Sequence, residues 1–165
     1  GEGKGLELSC INPVAVLGPA MSADVSASLE LVTQPMQAKL PAYPQLTFGI
    51  VDVRDVALAH VRAMTEPRAA GERFLLGGEI VTFAELGEIL RQAYPGRKLP
   101  KGELPNWLVR VLANLNPVLK QILPELGKRR AYSNQKARDI LGIEPRSAKE
   151  AALASTETLM KLGAL

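Results

Sequence analysis

The sequence predicts an α/β protein built on part of a parallel sheet, and three observations point there. In the stretch Phe48–Pro67 the hydrophobic period changes from two to 3.6, so a strand feeds directly into a helix. Along the chain the order reads strand, extended loop, helix, strand, helix, strand, helix and a helical tail, which is the alternation of a parallel α/β fold. That order holds too few strands to cover both faces of a complete doubly wound sheet. The 165 residues are therefore expected to be one portion of such a fold.

The corner at Phe48–Pro67 organises the rest. Leu46, Phe48 and Ile50 alternate with Thr47, Gly49 and Val51, as a two-faced strand requires. From Val56 the stripe Val56, Ala59, Ala63 and Met64 lies on one helical face, and Pro67 stops the helix. Asp55 stands where an N-cap belongs. Asp52, Arg54 and Asp55 are expected to form an ion-pair network, because neighbouring carboxylates alone do not define catalysis. His60, the single histidine, lies four residues after Val56 and is expected to be a satisfied core residue.

Upstream, the glycine-rich Gly1–Gly5 precedes a strand instead of following one. It is expected to be a loop or frayed end and not a phosphate-binding loop. Leu6–Asn12 is a short strand, apolar at Leu6, Leu8 and Cys10, and ends where Pro13 cannot donate to a ladder. Val14 to Leu17 continue extended to the Gly18-Pro19 turn; Met21–Ser28 is a loop, and Leu29–Ala38 is a weak helix interrupted by Pro35.

Downstream, Ala69-Ala70-Gly71 makes a turn, and Arg73–Leu76 is a buried strand closed by Gly77-Gly78, expected to pair in parallel with Leu6–Asn12 through the intervening helix. Thr82 and Glu85 form a capping box for a helix with the stripe Leu86, Ile89, Leu90 and Ala93, ending near Gly96. Pro105 opens an unusually apolar helix (Trp107, Leu108, Val111, Leu112, Leu115), broken at Asn116-Pro117. The apolar surface from Pro105 to Leu123 is expected to line a substrate pocket or pack on another chain. Ser133 caps a short helix to Leu141-Gly142, and Ser147 with Glu150 forms a second capping box for a helix to about Leu162.

Composition narrows the class. An apolar share of 47%, a charged share of 22% and a net charge of +3 suit a soluble globular domain. Lys128, Arg129 and Arg130 form the one basic cluster, read as a solvated turn, so no nucleic-acid partner is expected. The single cysteine, Cys10, excludes an internal disulfide and suits a reducing, cytoplasmic compartment. No apolar run approaches the ~20 residues of a membrane span, and no signal peptide is visible. One His and one Cys leave no set with metal-ligand spacing.

Four segments occur in a recognisable order and spacing: INPVAVLGP (Ile11–Pro19), VDVRDVALAH (Val51–His60), AGERFLLGG (Ala70–Gly78) and SNQKARDILGIEPRS (Ser133–Ser147). Together they resemble the C-terminal half of extended short-chain dehydrogenases/reductases, in the dihydroflavonol 4-reductase-like branch. The resemblance implies the C-terminal portion of an extended Rossmann-type fold, with a helical substrate-binding lobe, across residues 1–165. It implies that the dinucleotide loop and the catalytic Ser/Thr, Tyr-x-x-x-Lys set lie in an N-terminal half absent from this sequence, so no catalytic residue is assigned here.

Two Tyr-x-x-x-Lys matches are set aside. Tyr94–Lys98 contains Pro95 and Gly96, and Tyr132 falls outside the helix that carries Lys136. The resemblance places the nicotinamide of NADP or NAD against Pro13, Val14 and Val16, with Ser28 at a cofactor-contacting position. An ordinary buried strand end is the competing reading of these residues. The implied activity is NAD(P)H-dependent reduction of a small ketone or aldehyde, the isolated chain being inactive. Two alternatives stand beside it: a nucleotide-sugar epimerase or dehydratase, disfavoured by Ser9 and Cys10 where those relatives carry an arginine, and a non-catalytic dinucleotide-sensing module. The expected partners are a small carbonyl substrate and either the missing half or a second copy, because the first strand would otherwise keep an unpaired edge.

Overall fold

The structure is a computed structural model that describes Gly5 and residues 7–114 and 117–165. The expectations for residues 1–4, for Leu6 as the start of the first strand, and for Leu115 and Asn116 lie outside the described residues. The elements run β1 (Cys10–Pro13), β2 (Ala15–Leu17), α1 (Glu30–Met36), β3 (Tyr43–Pro44), β4 (Thr47–Asp52), α2 (Val53–Thr65), β5 (Arg73–Leu76), β6 (Ile80–Thr82), α3 (Phe83–Ala93), β7 (Glu103–Leu104), α4 (Asn106–Leu112), α5 (Pro117–Ile122), α6 (Gln135–Leu141) and α7 (Ala148–Lys161).

β1 pairs with β5 in parallel, Cys10 opposite Arg73 and Pro13 opposite Leu76. The crossover helix α2 leads from β4 to β5, and both of these strands run parallel to the Cys10–Leu17 segment, as in a βαβ unit. β2 then pairs in parallel with β4, and β4 pairs on its other side with β6, antiparallel. The extended segment Cys10–Leu17 thus changes partner at Val14, from β5 to β4. Pro13 is inside the ladder and does not end it. Cys10 and Val14 donate their N–H groups to Glu72 and Leu76, so the alternation of the strand turns the nitrogen of residue 13 away from β5, where a missing N–H costs no bond.

Two apolar clusters cover the two faces. Leu17, Val32, Met36, Tyr43, Ile50, Leu86 and Leu90 pack beneath α1, α3 and α7. Val51, Ala59, Phe74, Leu76, Ala137 and Ile143 pack beneath α2 and α6, with Ile11, Val14 and Val16 at the margin. The Thr82–Glu85 capping box forms with both of its hydrogen bonds. The one at Ser147 is half formed: its hydroxyl accepts from the Glu150 N–H at 3.1 Å, but the Glu150 carboxylate reaches Arg54 and Arg146 instead.

Three other readings change. The cap of α2 is Asp52, whose carboxylate accepts the Arg54 N–H, and Asp55 lies inside the first turn. α6 begins after Asn134, with the Ser133 hydroxyl taking the Gln135 N–H at 3.2 Å from one residue further out. Arg73–Leu76 is buried on one side only, at Phe74 and Leu76. On α4, Trp107, Val111 and Leu112 are exposed, while Val109 packs with Leu46 and Leu126 and draws in Leu119.

Candidate functional site

The segment Ile11–Ala20 crosses between the two pairings at the carboxyl end of β1, where ligands of open α/β sheets bind. Pro13 is exposed there. Val14 and Val16 turn their side chains into the cluster under α2 and α6. The structure brings Ser28 to this segment: its hydroxyl accepts the Val16 N–H at 3.3 Å. The Val14 N–H is already held by the Leu76 carbonyl at 3.0 Å. On the side of β1 away from β5, the alternation leaves the Ile11 N–H and the carbonyls of Ile11 and Pro13, and no strand among the described residues pairs there. The four residues form a ledge anchored through the N–H groups of Val14 and Val16, with the Pro13 carbonyl turned to its open side.

Behind the ledge stands a charged corner. Asp52, fully buried, accepts Arg54 Nε at 2.8 Å and Arg54 Nη2 at 2.7 Å, a bidentate fork. Burial works against the Asp52 carboxylate, but the hydrogen bonds and charge of Arg54, joined by Arg146, outweigh it and hold its pKa below the ordinary value. Asp55 pairs with the guanidinium of Arg146 and accepts the Arg146 N–H at 2.8 Å. Glu150 bridges Arg54 and Arg146 at 3.1 and 3.3 Å. The expected network exists, and α7 is tied to the head of α2 by residues the sequence reading did not include. An arginine 91 positions from its aspartate carries no local signal.

Both Tyr-x-x-x-Lys matches are engaged in packing. The Tyr132 phenol donates to the Gly78 carbonyl at 2.8 Å, and its ring fills the space that a Cβ on Gly49 or Gly77 would occupy. Lys136 pairs with Glu72 and lies 5.5 Å from the centre of the Phe74 ring. Burial pushes the Tyr132 phenol up, whereas a proton-donating phenol working beside a lysine needs the opposite shift. Tyr94 sits at the end of α3 against the first cluster, its phenol raised by burial and by the charge of Glu157.

His60 is exposed and does not enter the core. Its Nδ1 lies 2.8 Å from the Val56 carbonyl, one turn back, and its ring borders a cleft of about 540 Å³ with Leu8, Ile11, Met64 and Pro67. The stripe of α2 is narrower than its sequence suggests, with Ala59 buried and Met64 85% exposed. This cleft flanks the amino end of β1, opposite the end where the ledge lies. Among the described residues no group of His, Cys, Asp and Glu is arranged to hold a metal, and no helix is long and apolar enough to cross a membrane.

No protein-family model matches the chain. Cinnamoyl-CoA reductase 1 of Arabidopsis thaliana is 35% identical over 162 residues, 98% of this chain and 42% of that protein. The NADPH-dependent methylglyoxal reductase GRE2 of Saccharomyces cerevisiae is 31% identical over 150 residues, 87% of this chain and 40% of that one. Among solved structures, yeast methylglyoxal/isovaleraldehyde reductase Gre2 complexed with NADPH superposes with a TM-score of 0.70 at 25% identity, over 96% of this chain and 45% of its own. A nucleoside-diphosphate-sugar epimerase from Pseudomonas aeruginosa, PA4631, gives 0.78 at 20% identity over 98% of this chain and 50% of its own, a likeness of fold alone.

The fold is therefore the Rossmann-like α/β fold of reductases and epimerases. The chain is a relative of the NAD(P)-dependent reductases of the extended short-chain dehydrogenase/reductase superfamily, and it spans about two-fifths of the length of the curated relatives it matches.

Proposed function

We propose that the chain is the C-terminal portion of an NAD(P)H-dependent oxidoreductase that reduces a small ketone or aldehyde, and that the dinucleotide loop and the Tyr-Lys pair are carried by residues outside these 165. The observation that carries this reading is the ledge Pro13–Val16. A proline-led backbone, tied through Val14 to Leu76 and through Val16 to Ser28, presents fixed polar groups at the carboxyl end of a parallel strand. Pro13, Val14, Val16 and Ser28 would hold a nicotinamide there, whose chemistry would be hydride donation to the carbonyl carbon of the substrate. The role of Pro13, Val14, Val16 and Ser28 is to orient its ring so that no rotational search remains at the moment of transfer. NADPH is the cofactor bound in the related Gre2 structure, which supports the same dinucleotide here. Tyr132 and Lys136, each held by another partner, take no part in the proton transfer.

The test uses the purified 165-residue chain with NADPH and methylglyoxal or an aromatic aldehyde. No turnover is expected, because the phosphate-anchoring loop and the acid lie elsewhere. Turnover by this chain alone would overturn the assignment. The polypeptide expressed from the complete enclosing reading frame is expected to oxidise NADPH in the presence of the same carbonyls, and its failure with every small carbonyl offered would remove the reductase reading.

The side of β1 away from β5, unpaired among the described residues, supports a partner there. The open backbone groups of that edge, with Leu8 76% exposed beside them, form a template for strand addition. That edge is completed by the remainder of the sheet or by a second copy of the chain. Light scattering over a concentration series is expected to reveal self-association of the isolated chain. A monomer that unfolds cooperatively at every concentration would mean that the edge needs no cover.

A further inference from the structure

The ledge continues past Val16 into a tight turn, and what holds that turn lies more than a hundred residues away. At Gly18 the backbone adopts φ +123°, and a Cβ there would stand 2.8 Å from Val53 Cγ1. The Gly18 N–H donates to the hydroxyl of Ser155 at 2.7 Å. That hydroxyl, fully buried, donates its own hydrogen bond to the carbonyl of Gly18 at 2.9 Å or of Ala151 at 3.1 Å. Two residues on, the Ala20 N–H donates to the Thr158 hydroxyl at 2.8 Å. Ser155 and Thr158 lie three apart, hence on one face of α7. The buried Ala151 and Ala152 beside them keep that face low enough for a backbone to approach.

A regular arrangement results. The N–H groups of residues 14, 16, 18 and 20 are taken in turn by Leu76 O, Ser28 Oγ, Ser155 Oγ and Thr158 Oγ1. Beyond β5, side-chain hydroxyls replace a strand as the partner of the extended segment. Hydroxyls in a helix interior ordinarily bond their own carbonyls one turn back, and Ser155 and Thr158 do that as well. Their lone pairs remain available for the foreign N–H groups.

We propose that Ser155 and Thr158 are positioning residues for the cofactor ledge. They hold the exit of Pro13–Val16 in one conformation, so that the nicotinamide-facing backbone is preformed before the cofactor arrives. The inference rests on the assignment of that ledge as the cofactor wall. A ledge ordered only on binding would oppose binding by the entropy of fixing it.

Amide exchange of the full 165-residue chain and chemical shifts of the complete polypeptide, followed by NMR, test it. Ser155→Ala is expected to speed exchange at Gly18 by about tenfold, the loss of one buried hydrogen bond, with Val14 unchanged. Thr158→Val is expected to do the same at Ala20, and Thr158→Ser to restore protection. Ser147→Ala loosens the start of the same helix without touching the segment, and is expected to leave the ratio of Gly18 to Val14 exchange as it was.

Titration with NADPH of the polypeptide from the complete enclosing reading frame, to which the proposed function assigns the phosphate-anchoring loop, is expected to shift the amides of Val14 and Val16 in wild type, and to shift them several-fold less in Ser155→Ala at equal concentration. Unchanged Gly18 exchange in Ser155→Ala, or equal NADPH shifts in both chains, overturns the positioning role. Wild-type amides that ignore NADPH while the exchange pattern holds overturn the cofactor-wall reading, so the two failures are distinguishable.

Discussion

Replacing Gly78 with alanine is expected to destabilise the chain by about 3 kcal/mol, the upper end of what overpacking costs. A Cβ at this position would stand 2.5 Å from the Ile50 carbonyl oxygen, the atom that accepts the Gly78 N–H at 2.9 Å. It would also meet the Arg146 carbonyl at 3.3 Å and Pro145 Cβ at 3.4 Å. None of these is the end of a flexible side chain, so the backbone of β4 or of the β5–β6 connection has to move. Both carry the junction at which β2, β4 and β6 meet. Gly96→Ala, whose Cβ would enter open space, is the matched control and is expected to stay within about 0.5 kcal/mol of wild type. Urea unfolding of the two variants checks both values. A Gly78→Ala chain as stable as Gly96→Ala would mean that the junction yields at little cost.

Asp52→Ala is expected to cost about 2 kcal/mol at neutral pH, from a lost N-cap and a lost bidentate pair. The wild-type carboxylate is fully buried and accepts the Arg54 N–H, Nε and Nη2, while the Arg54 side chain is 40% exposed and can return to water. The released cation therefore adds less to the cost than a buried one would. Asp52 also sets a pH dependence. Its pKa is lower folded than unfolded, the net result of a burial penalty outweighed by Arg54 and Arg146. Its contribution is accordingly complete above the unfolded value of about 4 and is lost as the pH falls through the folded value below it. Thermal melts at falling pH should therefore bring wild type and Asp52→Ala together in the acid range and apart near neutrality. A difference that stays constant down to strongly acid pH would show that the carboxylate's charge contributes nothing.

Features set by neighbours along the chain and features set by distant partners divide along one physical line. The passage from strand to helix between Ile50 and Val56, the helix starts at Thr82 and Ser147, and the end of α6 at Leu141-Gly142 were all legible in the sequence. Each depends on groups within one turn of one another, where residue type and spacing decide the outcome. The parallel pairing of β1 with β5 was legible too, because an intervening helix between two short apolar runs admits few other solutions. The resemblance named the ledge residues, and Val16 and Ser28 do meet.

What only the tertiary structure decided involves partners distant in sequence. Asp52 caps α2 because Asp55 is drawn to Arg146; a local pattern offers both aspartates and chooses neither. His60 is exposed because the cluster under α2 is filled by Ala59, Val56 and Ala63, which leaves the fourth residue of the turn outside. β3, β6 and β7 escaped the sequence reading because strands of two or three residues have no measurable period. Ser155 and Thr158 read as ordinary residues of an alanine-rich helix until the fold sets Gly18 and Ala20 against them. Periodicity and capping act through neighbours along the chain and can be read from it. The partner of a buried charge or a turn amide is chosen by packing and exists only once the sheet has brought the two segments together.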